Sequence, residues 1–66
     1  MDIKEVKPNL NRNVLYISQK AGINSEYILT ACIIRRNEKG FFYQVELRDI
    51  KSNSIIIASL EDINAV

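Results

Sequence analysis

Cys32 is the single cysteine of a 66-residue chain that contains no histidine. A thiol becomes a nucleophile only as the thiolate, which needs a base or a positive neighbour at neutral pH. No histidine or second cysteine stands near it, so Cys32 is read as a core residue. A lone thiol closes no internal disulfide, and zinc sites draw on Cys and His in sets of three or four. Glu61 and Asp62 are adjacent, so their carboxylates point apart, and a place at a helix start explains them better than acid–base work. Gly22 and Gly40 stand alone and make no phosphate-cradling loop. No catalytic signature survives. The chain is expected not to be an enzyme, with no cofactor, no metal and no small-molecule substrate.

Binding is what remains. Arg35, Arg36 and Lys39 lie next to Phe41, Phe42 and Tyr43. Aromatic rings beside arginines can stack on bases and neutralise phosphates, as single-strand binders do. That gives a nucleic-acid reading with Arg35, Arg36, Lys39 and Phe42 as its residues. Against it, the net charge is only +1 and Glu38, Glu46 and Asp49 are close in sequence; affinity for nucleic acid rests heavily on phosphate neutralisation. The favoured expectation is a protein partner, held by Ile34, Arg36, Phe42 and Arg48, because aromatics and arginines are enriched at interfaces.

The elements that position these residues follow from β-branched runs and turn signals. Val14–Ile17 reads as a first short strand, and Ser18–Ser25, with Gly22 inside it, as a loop. Tyr27–Arg36 is ambiguous: Ser25 and Glu26 would start a helix, whereas Ile28, Thr30, Ile33 and Ile34 favour a strand. The neighbours favour the strand. Asn37-Glu38-Lys39-Gly40 is a hairpin loop with glycine at its close, and Phe41–Ile50 alternates as a strand should. Lys51–Ser54 is a further turn and Ile55–Ala58 a fourth strand. Ser59–Asp62 resembles a capping box, giving one helical or 3₁₀ turn, and Ile63–Val66 a last strand. The fold class expected is all-β, with a helix at 25–38 on a three-stranded sheet (α+β) as the competing architecture.

Hairpin register decides which side chains share a face, because a slip of one residue exchanges the faces. A three-residue loop, Glu38-Lys39-Gly40, sets Ile33 opposite Val45, Ala31 opposite Leu47 and Arg36 opposite Phe42. A four-residue loop sets Cys32 opposite Val45. The first buries Leu29, Ala31 and Ile33 with Val45 and Leu47, and is preferred because it sets Thr30, Cys32 and Ile34 beside the polar Arg48, Glu46 and Gln44. Its second face carries Ile28, Ile34, Arg36, Phe42, Gln44, Glu46, Arg48 and Ile50, from which the partner residues are drawn.

Length sets the remaining bounds. Residues 1–66 make one domain, with 1–13 a loosely ordered segment turning at Pro8-Asn9. A chain this short buries only about 60% of its unfolded surface. Composition is nonetheless globular, with 47% hydrophobic and 26% charged residues, and no apolar run approaches a membrane span. The opening carries no secretory signal pattern, so the cytoplasm is the expected compartment. Eleven isoleucines and seven asparagines hint at an AT-rich genome. Self-association as a homodimer is a second kind of partner, since a small domain without disulfide or metal has few other supports; the Ile-rich fourth strand is the edge expected to provide it.

The order of elements over residues 14–66 (strand, irregular loop, three-strand meander, 3₁₀ turn, last strand) resembles the SH3-like small barrels, including Tudor-type domains. Val14–Ile17, Tyr27–Arg36, Phe41–Ile50, Ile55–Ala58 and Ser59–Asp62 fill the corresponding places. The resemblance implies a five-stranded barrel and no binding residue. The chain has no tryptophan, which SH3 domains proper carry on the ligand face.

Overall fold

The longest strand, β2 (Ile23–Asn37), has 15 residues and would reach roughly 45 Å if straight. The computed structural model, which describes residues 1–66, is only 36 Å along its longest axis. β2 therefore bends. Its first part, Ile23–Ile28, pairs antiparallel with β1 (Asn13–Ser18), and its second, Ile28–Asn37, with β3 (Gly40–Arg48). The bend falls where Leu29 faces Leu47 but Ala31 faces Glu46, leaving Thr30 as the extra residue of a β-bulge. Just there, Leu29 donates its N–H to Arg12 O (3.0 Å) and accepts at its carbonyl from Asn11 N–H (2.7 Å).

β4 (Ile55–Ser59) lies beside β3, and β5 (Ile63–Ala65) beside β1, giving one five-stranded antiparallel sheet of order β4-β3-β2-β1-β5. The architecture is all-β, and the strand reading of Tyr27–Arg36 holds over the helical one. The expected barrel closure does not occur, because β4 and β5 are both free edges. A 3₁₀ turn, Leu60–Asp62, joins them where the sequence places it, but Ser59 makes no side-chain cap bond; the capping box is not formed.

Nine residues are buried: Val6, Val14, Tyr16, Leu29, Val45, Leu47, Ala58, Leu60 and Ile63. They occupy the concave side of the bent sheet, where Val45 faces Ala58 and Cys32, and Leu47 faces Leu29 and Ile56. The Tyr16 ring meets Tyr27 edge-on, with centroids 6.0 Å apart. Residues 1–13, expected as a loosely ordered segment, carry a 3₁₀ turn (Ile3–Glu5) and a single helical turn α1 (Val6–Asn9). Pro8 fits because its missing N–H falls in the first turn, where no acceptor is available. Val6 brings this segment into the core.

Two connections differ from expectation. β2 starts at Ile23, so the β1–β2 turn is only Gln19–Gly22, with Gly22 at φ +66°. The β2–β3 loop has two residues, Glu38 and Lys39, between the paired Asn37 and Gly40. Asn37 Oδ1 accepts from Lys39 N–H at 2.8 Å, and Gly40 takes φ +122°. Near the hairpin the register is therefore the one with Cys32 opposite Val45. The preferred alternative is corrected: Ala31 and Ile33 lie on the convex side with Glu46 and Gln44, and Cys32 turns inward.

Candidate functional site

Beyond the bulge β1 no longer accompanies β2, and β4 pairs with β3 only over Gln44–Arg48. Ile33–Asn37 and Gly40–Tyr43 are thus left as a two-stranded arm whose outer edges are unpaired. Alternation along the arm sorts its side chains. Ile34, Arg36, Phe41 and Tyr43 continue the concave side, while Ile33, Arg35, Phe42 and Gln44 continue the convex side. Phe41 is 72% and Ile34 65% exposed, because the arm extends past the core that would cover them.

This splits the residues read from the sequence. Ile34 and Arg36 do share a face, but Phe42 stands on the opposite one. Arg48 is on the Phe42 side, six residues further along β3 and so roughly 20 Å away. Its guanidinium is engaged elsewhere, donating from Nη1 to Asn53 Oδ1 at 2.8 Å. Of the nucleic-acid set, Arg35 and Phe42 are directly opposed, Arg36 points to the other face, and Lys39 sits at the tip. The Arg35 Nε–H donates to Gln44 Oε1, which lays that side chain along the convex face. Phe41 and Tyr43, noted in the aromatic run but left out of both residue sets, share the face of Ile34 and Arg36, as the four-residue-loop register implies.

At the base of the arm a cleft of about 510 Å³ opens where β4 has ended. Phe42, Tyr43 and Leu60 give it apolar walls, and Asp2 and Glu61 stand at its rim. Its floor is tied by the Met1 amino group, which donates to the carbonyls of Leu60 (3.3 Å) and Ile63.

Two titratable groups are shifted by their surroundings. Cys32 is half-buried, and burial pushes its thiol above the usual value, an N–H···S contact with Ile33 opposing only in part. Asp49 caps the β3–β4 turn: its Oδ1 accepts from Lys51 N–H (2.8 Å) and Ser52 N–H (3.2 Å), and these donors hold its carboxyl below the ordinary range. No three Cys, Asp or Glu side chains converge as metal ligands would, and no helix is long and apolar enough to cross a membrane.

Fold and site together define a small open antiparallel β module carrying a two-stranded arm. In comparisons with known proteins the chain matches no family model, no curated protein and no solved structure.

Proposed function

We propose that the chain is a non-catalytic binding module, an SH3-like small barrel left open at one seam, that engages a protein partner through the β2–β3 arm. One observation carries this reading: two large apolar side chains, Ile34 and Phe41, stand mostly exposed on a ribbon that contributes little to the core. Beside them, Arg36 and Lys39 favour a partner surface that is apolar at its centre and acidic around it. The strand order and the 3₁₀ turn before β5 support the small-barrel class. The cytoplasm is the proposed compartment, in keeping with a single thiol and no disulfide. The test is affinity capture from the source cell with wild type, Phe41→Ser and Ile34→Lys. One protein recovered by wild type and lost with both variants is the expected outcome. Equal recovery by all three would remove the arm from the interface.

A second reading rests on the basic tip, where Arg36 stands cross-strand from the exposed Phe41, Lys39 lies in the loop, and Arg35 faces Phe42 on the other side. It takes single-stranded nucleic acid as the ligand, with rings stacking on bases. Fluorescence anisotropy with oligo(dT) and oligo(rU) separates the two. Binding that weakens steeply with salt and with Arg35→Ala plus Arg36→Ala replaces the protein reading.

A further inference from the structure

The β4 edge has an orderly row of unused backbone groups. Asp49 N–H donates to Ser54 O at 2.8 Å in the same register that pairs Leu47 with Ile56 and Val45 with Ala58. Antiparallel ladders alternate bonded and non-bonded pairs. Ser54, Ile56 and Ala58 therefore bond to β3, while the N–H and C=O groups of Ile55 and Ile57 point away from it. No other strand of the chain lies there. Nor does this edge have the usual protections against pairing, since Ile55–Ser59 contains no charge, proline or bulge. Ile55 and Ile57 are also 50% and 47% exposed.

We infer that the chain forms a symmetric homodimer in which β4 pairs antiparallel with β4 of a second copy, joining two sheets into one. Bonded positions must come from Ile55, Ile57 and Ser59 on both sides, which restricts the register. Ile55 opposite the partner's Ile57, with Ile56 meeting the partner's Ile56 on the two-fold axis, sets every isoleucine against an isoleucine. Charge selects the antiparallel sense as well. Lys51 precedes β4 and Glu61 follows it, so the two-fold brings Lys51 towards the partner's Glu61, whereas a parallel pair would set like beside like. The other free edge, β5, has three residues against the five of β4, and offers the shorter ladder.

The register is tested by crosslinking. Opposed residues at a non-bonded antiparallel position have Cα atoms about 4.5 Å apart, within disulfide reach. Ile56→Cys in a Cys32→Ser background, oxidised with copper–phenanthroline, is expected to give a reducible crosslinked dimer; Lys20→Cys in the same background is expected to give none. Sedimentation of the wild type is expected to show two subunits, and Ile57→Lys a 7.6 kDa monomer with unchanged far-UV circular dichroism. If Ile57→Lys does not fold, Ile57→Pro, whose missing N–H is one that points away from β3 on an edge strand, is expected to give the same monomer. Phe41→Ser is expected to leave the dimer intact, so the arm reading can fail separately. A wild-type monomer across a wide dilution series, an assembly of more than two subunits, or no Ile56→Cys crosslink overturns the proposal.

Discussion

The hydroxyl of Thr30 lies 3.0 Å from the backbone carbonyl of Glu46 and 2.8 Å from Oε2 of the same residue, sharing its proton between them. Thr30 is the inserted residue of the bulge, so this clasp holds the sheet at the place where β2 changes partners. Leu29 and Cys32 both turn to the concave side although three positions apart, which a regular strand forbids. The bulge thus sets the faces of the arm as well as the bend.

Thr30→Val keeps the shape and the strand preference but removes the shared proton. The expected cost is about 1.5–3 kcal/mol, the range for a hydrogen bond to a charged group. A domain of this size loses about 4–8 °C in Tm per kcal/mol. Urea unfolding followed by circular dichroism checks it, with an unchanged slope expected. An unchanged midpoint would show the clasp to be incidental.

The strands were legible because isoleucine, valine and aromatic runs fall between turn residues, and Asn37–Gly40 and Lys51–Ser54 mark turns by type. Register was not legible. β2 has Ile28 beside Leu29 and Ile33 beside Ile34, so either face can be called apolar, and no residue type announces Thr30 as a bulge. The arm compounds this, since beyond the core burial no longer distinguishes faces, as the 65% exposure of Ile34 shows. A slip of one residue then put Phe42 in place of Phe41 in the candidate surface. The single turn of α1 is too short for any periodicity to reveal, and Val6 earns its buried place from tertiary contact alone.

Gly40 governs the tip of the arm. A Cβ added there meets nothing within 4 Å, so any penalty comes from φ +122° alone. Gly40→Ala is expected to cost roughly 1 kcal/mol or more, the strain of an L-residue forced to positive φ. Because the arm makes few core contacts, the loss is expected first as faster amide exchange at Arg35–Tyr43, before the global midpoint moves. Unchanged exchange in the arm contradicts this account.

Asp49 is expected to contribute to acid stability. Its carboxyl is held below 3.8 by the Lys51 and Ser52 amides, so the charged form is favoured in the folded state. The folded chain therefore releases this proton more readily than the unfolded one, and the contribution is complete above about pH 3.8 and lost as pH falls through the lower folded value. The gap in urea midpoint between wild type and Asp49→Ala is expected to be widest at neutral pH and to close below that point. A gap independent of pH would assign the effect to turn geometry rather than to charge.

Cys32 has the opposite sign at the other end of the scale. Burial raises its thiol above 9.0, so the folded chain holds the proton to higher pH than the unfolded one. Its contribution is complete below about pH 9.0 and is lost as pH rises through the folded value. Wild type is therefore expected to lose stability above pH 9.0 more steeply than Cys32→Ala, whose lower baseline reflects the lost side chain. Reactivity follows the same cause, since the thiolate is the attacking form. Iodoacetamide at neutral pH is expected to label the folded chain more slowly than the urea-unfolded chain, and Gly40→Ala, by loosening the arm that begins beside Cys32, to narrow that difference. Equal labelling rates for folded and unfolded wild type would place the thiol in open solvent and contradict its position opposite Val45 on the concave face.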